Sequence, residues 1–415
     1  MSEVIAGNIL QEQKTLAGSR QLTSEQSHHY RIWQDSTSPY SHKVMTYMHY
    51  KGIPYKRMQV TLDTYTKEIP SLVGQTIIPV ILTPDDRVMQ DSTPIMQWFE
   101  TQYPANAAIP QDRRLAFIMW LLEEFGDEYM PRIHMHTRWG NEQNRQTISH
   151  RIGRGLSFAS AELTAQALAP MLLERQSGFD LHLGLQGDGI RDNMERQIAD
   201  LLAILEEHFT HFQFLLGFKP SLADFSLYGS LHTHLFNDPQ SNQIMEVGAP
   251  RTCRWMDTIN DFGDSRGCVG QTEFGDWLNL DDYPDSALPA SLAALLAFVG
   301  KTYIPFAKAC AVAGGQKEKT FSADIYGLSA CFSTHQYRVW SFEQLQLHYQ
   351  QLQGQDKTDI DKVLTKANIL SELTRGDIVH NGLFDGFTPP FVKDGVADAR
   401  LKHIRDRQHT AVDNT

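Results

Sequence analysis

At 415 residues the chain is too long for one ordinary hydrophobic core, so two or three domains are expected. Hydrophobic residues make up 41% and charged residues 21%, enough apolar material for large cores, which excludes wholesale disorder. A net charge of −12 without clustered Lys or Arg argues against nucleic acid or an anionic membrane as the main partner.

The polar stretch 1–27 lacks a basic start followed by an apolar block and reads as a loose tail rather than a leader. Tyr30 to Trp33 reads as a strand that turns sharply into a helix over Pro39 to Lys51, with Val44, Tyr47 and Met48 at helical spacing. Ser38 is placed to cap that helix and Pro39 to open it, since proline's missing N–H has no intrahelical partner at the first position. A helix start of this kind presents free N–H groups and a positive dipole end to an anion. Gly52 and Pro54 stop the helix, and Tyr55 to Val60 suits a second strand, giving a β-α-β unit with parallel pairing.

Asp63 to Gln75 reads as a short helix in a loop. The run Ile77 to Leu82 is β-branched with Pro79 at its start, a candidate for a cis Ile78–Pro79 bond. Turn residues Thr83 to Asp86 let Arg87 to Gln90 return as an antiparallel strand. Asp91-Ser92-Thr93-Pro94 then repeats the hydroxyl-and-proline opening of a helix that runs to Tyr103.

From Asp112 onward long helical periodicities take over. Arg113 to Tyr129 carries Leu115, Ile118, Met119, Leu122 and Phe125 on one face and Glu123, Glu124, Asp127 and Glu128 largely on the other. Those acids read as a solvated face and His134 and His136 as loop residues, with no spacing diagnostic of a metal. Gly178 to Asp192 is a connector, and Asn193 to Leu216 a helix ended by Gly217. Ser221 and Asp224 form a capping box for an unusually apolar helix over Leu222 to Leu235, whose His232 and His234 read as core or boundary residues. Further helices are expected over Ala290 to Ala313, Phe342 to Gln353 and Asp359 to Leu373; 381–415 mixes Gly, Pro and charge without a clear element. The apolar block Leu288 to Val299 stops at Gly300-Lys301, short of a bilayer span. The cysteines at 253, 268, 310 and 331 show no C-x-x-C spacing, which fits a reduced, cytoplasmic protein without a disulfide framework or metal.

This order of elements resembles the glutathione S-transferase superfamily. The likeness is carried by Ser38-Pro39-Tyr40-Ser41, Ile78-Pro79, Gln90-Asp91-Ser92 and, more loosely, the Ser221-Leu222-Ala223-Asp224 box. The run Leu121 to Tyr129 with Trp139 looks like a bacterial subgroup with long C-terminal regions. The resemblance implies an α/β thioredoxin-like N-terminal domain that binds glutathione (28–108), an all-α C-terminal domain (112–300) and a mostly helical C-terminal extension (301–415). It places Ser38 against the glutathione sulfur, with Ser36 and Tyr40 in reserve and Tyr30 as another possible helper. Ile78 and Pro79 would pair with the cysteinyl part of the peptide, and Asp91 and Ser92 would hold the γ-glutamyl amine and carboxylate. Arg132, His134, Arg138 and Trp139 are where an acceptor site would be lined, and a homodimer is implied.

No cysteine occurs before Cys253, so a mixed disulfide at the hinge is excluded and the chemistry narrows to thiolate stabilisation. A free thiol ionises near pH 8.5, and a hydroxyl hydrogen bond plus a helix N-terminus supply about one to two units of lowering. The expectation is an enzyme adding glutathione to a small electrophile, or running a related glutathione-dependent reaction. The alternative is a non-catalytic interaction or stress-response module on the same scaffold. The enzyme needs Ser38, Pro79, Asp91 and Ser92 to converge on an open cleft, whereas a cleft filled by the C-terminal region favours the module.

Overall fold

The structure, a computed structural model, describes residues 29–85, 87–158, 165–263, 274–386 and 388–392. The stretch 1–27 and Cys268 lie outside the described residues.

The N-terminal domain is built on strands β1 (Tyr30–Trp33), β2 (Tyr55–Met58), β3 (Val80–Leu82) and β4 (Val88–Gln90) in the order β2-β1-β3-β4. β1 pairs parallel to β2 across helix α1 (Pro39–Lys51), and β3 runs antiparallel to both β1 and β4. The β-α-β and hairpin patterns predict the β1–β2 and β3–β4 pairings, and the fold adds the β1–β3 pairing between them. Ser38 adopts an extended backbone and caps α1, its hydroxyl oxygen accepting from the Ser41 N–H, and left-handed Gly52 ends the helix. A wide π turn (Thr64–Glu68) and short α2 (Ile69–Val73) fill the loop before the cis Ile78–Pro79 peptide. Helix α3 (Ser92–Gln102) follows β4 directly.

The helical domain opens with α4 (Arg113–Glu124), a π turn (Phe125–Tyr129) and α5 (Met130–Trp139) in one continuous run. Helices α6 (Glu142–Leu156), α7 (Ala165–His182) and α8 (Ile190–His211) lead to the apolar α9 (Leu222–Ser230), which continues as a π turn over Leu231–Phe236. α7 thus fills the first part of the stretch expected to be a connector. Asp224 accepts from the Ser221 N–H and hydroxyl, as the capping-box spacing predicts, and also from the Leu215 N–H and the Trp255 indole. α10 (Pro239–Gly248) and α11 (Pro250–Asn260) complete this layer.

The C-terminal region adds α12 (Ala290–Lys301), α13 (Tyr303–Gly315), α14 (Gln336–Gln350), α15 (Gly354–Lys366) and α16 (Leu370–Thr374). Between α13 and α14 lies an antiparallel hairpin, β5 (Thr320–Ile325) and β6 (Leu328–Ser333), which helical periodicity did not reveal. Phe321, Ile325, Ala330 and Phe332 alternate inward, a period of two too short to register beside long helices. The apolar block also runs further than expected: Ala290–Gly315 is long and apolar enough to cross a membrane, yet Leu292, Leu295, Leu296, Ile304, Phe306 and Ala307 are all buried in the protein. The extension shares one hydrophobic core with both domains, and near its end Phe391 pairs with Met89 on the outer edge of β4.

Candidate functional site

The sheet register brings the predicted stations together. Trp33 lies opposite Val80, and Val80 opposite Gln90, so β1, β3 and β4 meet in one row. The loop to Ser38 leaves β1, Ile78–Pro79 enters β3 and Asp91–Ser92 leaves β4 from that same end. Neighbouring strands are spaced by about 4.8 Å, so three different parts of the sequence reach one patch roughly 10 Å wide.

The hinge is tied by Asp35. Its carboxylate accepts from the Thr37 N–H at 2.8 Å and the Thr37 hydroxyl at 2.5 Å, and its carbonyl accepts from the Ser38 N–H at 3.1 Å. Ser38 accepts the Ser41 N–H at 3.3 Å. Capping uses a lone pair, so the single hydroxyl proton remains for a thiolate; capping and donation are compatible roles for one serine. Ser36 is exposed beside it. The Tyr40 phenol donates to the Asp127 carbonyl at 2.9 Å, and burial, reinforced by Glu128 and Asp127, holds it protonated. Tyr30 is occupied in an aromatic cluster, accepting from Tyr103 at 3.2 Å.

Asp91 has a left-handed backbone, φ 67°, uncommon for a non-glycine residue, which aims the start of α3. Burial pushes its carboxyl up to about 6, against the Gln90 amide that hydrogen-bonds it at 3.1 Å. The Ser92 hydroxyl donates to Asp127 Oδ2 at 3.2 Å. Its proton is therefore directed into the helical domain, leaving lone pairs for a ligand ammonium and the α3 N-terminal N–H groups for a carboxylate.

The acidic run at 123–128 is not solvated. Glu123, Glu124, Asp127 and Glu128 are all buried, correcting the reading of that face from helical period alone. The reason is counter-charge from distant sequence. Lys43 Nζ reaches Glu123 and Asp127 at 2.5 Å each, and Arg338 of α14 reaches Glu128 at 3.1 Å. Burial, then the charges of Glu123 and Glu128, push Glu124 well above the carboxylate range. Lys43 could have been noticed in the sequence, because it falls on the α1 face that carries Tyr47 and Val44. Arg338 left no such signal.

The suggested acceptor residues are drawn into packing. Arg132 donates to the carbonyls of Leu183 and Gly184 and to Tyr129, and lies over the Phe332 ring of the hairpin. His134 is on α5, not in a loop, and stacks on His234 with ring centroids 3.9 Å apart; burial depresses both well below the usual histidine range. Arg138 pairs with Asp238 at 2.8 Å and donates to the Thr37 carbonyl at 3.0 Å, bracing the hinge from behind. Trp139 is buried at the end of α5. A surface groove of about 580 Å³ lies elsewhere, between α8 and α12, lined by Ile204, Phe212 and Ala294. Among the described residues no group of three or more His, Cys, Asp or Glu is arranged to hold a metal.

A thioredoxin-like sheet with a capped, proline-opened helix after β1, followed by a helical domain that holds a buried capping box, defines the class of this protein. The family model for the glutathione S-transferase N-terminal domain matches residues 37–102, and that for the C-terminal domain matches 186–261. These two matches, in the order in which the domains occur along the chain, support membership of the glutathione S-transferase superfamily. It is 31% identical over 86 residues to a maleylpyruvate isomerase of Ralstonia sp., a match covering 20% of this chain and 39% of that protein. Among solved structures it is similar to the beta-etherase LigF from Sphingobium sp. strain SYK-6, with 18% identity, a TM-score of 0.41 and coverage of 56% of this chain and 94% of the other. A glutathione transferase family member from Pseudomonas fluorescens pf-5, solved with two glutathione bound, gives 16% identity, a TM-score of 0.34 and coverage of 59% and 92%.

Proposed function

We propose that the protein is a glutathione-dependent enzyme in which Ser38 donates a hydrogen bond to the glutathione thiolate. The observation that carries this is the register row Trp33–Val80–Gln90, which gathers Ser38, Ile78–Pro79 and Asp91–Ser92 at one end of the sheet. The Tyr40 and Ser41 N–H groups and the α1 dipole add field at the sulfur. The Ile78 backbone beside Pro79 pairs with the cysteinyl residue, and Asp91 holds the γ-glutamyl ammonium. The activated sulfur attacks a small electrophile, and the match to a maleylpyruvate isomerase favours an isomerisation as the related reaction. Free Cys253 and Cys310 fit a cytoplasmic setting, and the superfamily supports a homodimer, which light scattering tests.

Retention on immobilised glutathione, followed by ultraviolet titration of the bound thiol, tests the reading. Wild type should bind and ionise the thiol about one to two pH units below its free value, and Ser38→Ala should lose that lowering. Equal thiol ionisation in Ser38→Ala would remove Ser38 from the chemistry. A second reading, a binding module without turnover, is favoured by one observation: 388–392 lies along β4, with the Gln90 N–H donating to the Pro390 carbonyl at 2.9 Å, one residue from Asp91. Glutathione binding without turnover of any electrophile would select it.

A further inference from the structure

Glutathione spans two stations on separate helices, and the spacing between α1 and α3 is fixed from outside the N-terminal domain. Asp127, in the π turn between α4 and α5, contacts both helix starts. Its carbonyl accepts from Tyr40, in the first turn of α1, at 2.9 Å, and Oδ2 accepts from Lys43, one turn further on, at 2.5 Å. The same Oδ2 accepts from Ser92, the first residue of α3, at 3.2 Å. Thr93 lies 3.0 Å from Oδ2, but its one proton has a closer acceptor in Glu123 at 2.6 Å. Oδ1 is held by the Ser226 hydroxyl of α9 at 2.6 Å, which fixes the carboxylate from behind. Asp127 is 5% exposed, so these bonds form out of water, where charge-assisted contacts are strong and geometrically demanding.

We propose that Asp127 is a positioning residue for glutathione, setting the distance and orientation between the α1 start that faces the thiol and the α3 start that faces the γ-glutamyl end. The inference rests on the glutathione reading above and adds to it a residue of the helical domain that does not touch the ligand. It also assigns the polarity of Ser92: with the hydroxyl proton given to Asp127, the oxygen presents lone pairs toward an ammonium.

The test is calorimetric binding of glutathione and of S-methylglutathione to wild type, Asp127→Asn, Tyr40→Phe and Ser291→Ala, with thermal midpoints for each. S-methylglutathione has no thiol to ionise, so a residue that assists only the sulfur leaves its affinity unchanged. Asp127→Asn should weaken both ligands about tenfold, the size of one lost charge-assisted hydrogen bond. Tyr40→Phe, which removes one tie without altering charge, should weaken both by roughly threefold. Ser291→Ala removes the buried hydrogen bond to His208 between α12 and α8, away from α1 and α3; it should lower the thermal midpoint and leave both affinities within twofold. Asp127→Asn affinities within twofold of wild type overturn the inference, and if that variant does not fold, unchanged S-methylglutathione binding by Tyr40→Phe overturns it. Failure of the wild type to bind either ligand overturns the glutathione reading itself.

Discussion

In the proposed site, Asp91 would couple ligand binding to pH through one side chain. Burial holds its carboxyl near 6, above the 3.8 of an open chain, so it titrates where a solvent-exposed aspartate would stay charged. In its proposed role as the anchor for an ammonium it must be ionised, and glutathione affinity should then fall by nearly tenfold per pH unit below about 6. Its contribution to folding runs the other way. The folded state prefers the protonated form, so the stability Asp91 contributes is fully present below 3.8 and lost as pH rises through about 6. Calorimetry from pH 5 to pH 7.5, with Asp91→Asn as reference, checks the binding slope, which the variant should flatten. The helix start after Asp91 was legible in the sequence from Gln90-Asp91-Ser92 and the proline that follows. The destination of the Ser92 proton was not, because Asp127 lies 35 residues away and only folding brings it near.

At the scale of elements, the site depends on backbone approach between helices. A Cβ on Gly229 would lie 2.5 Å from the Pro39 carbonyl oxygen and 3.2 Å from Lys43 Cβ, so α9 runs against the first turns of α1 only because residue 229 has no side chain. Gly126 likewise lets the π turn meet α9 at Ser226 and Leu227. Gly229→Ala should cost about 1–3 kcal/mol through forced displacement and weaken glutathione binding along with stability. Gly248→Ala, where an added Cβ meets nothing within 4 Å, should leave both unchanged. Urea unfolding together with ligand titration separates the two. Helix starts were read well from Ser38-Pro39 and Ser221-Asp224 because caps are local chemistry. The wide turns at 125–129 and 231–236 and the hairpin at 320–333 escaped because each answers to packing partners rather than to its own period.

For the whole molecule, the C-terminal extension is part of the core and not an appendage. Arg338 neutralises Glu128 inside the same buried cluster that holds Lys43, so the N-terminal domain, helical domain and extension share one charge network. Removing one member leaves an uncompensated buried charge, and Arg338→Met should destabilise by about 3–5 kcal/mol. The double variant Arg338→Met with Glu128→Gln should recover most of that loss, since neither partner then carries charge. A denaturant series on the four proteins measures the coupling; additive losses would show that the pair is not coupled. The segment 388–392 covers the β4 edge, with Phe391 against Trp98 and under the Arg87 guanidinium, 4.1 Å from its ring centroid. It shields a row of unpaired backbone groups that would otherwise be open to another chain.

The sequence by itself determined what is local: the capped, proline-opened hinge at Ser38, the parallel β1–β2 unit and the β3–β4 hairpin, the capping box at Ser221 and Asp224, and the absence of a hinge cysteine. The caps and the hairpin turn rest on residues within a few positions of one another, where backbone geometry and hydrogen-bonding inventory leave few choices, and the β1–β2 unit follows from the single helix between its strands. Tertiary structure alone decided whether the acids at 123–128 face water or Lys43 and Arg338, and whether the polar side chains at 132–138 line a cleft or brace the fold. Burial of a charge is settled by the counter-charge that reaches it. Here those counter-charges come from 80 residues upstream and 210 residues downstream, beyond the reach of any local pattern.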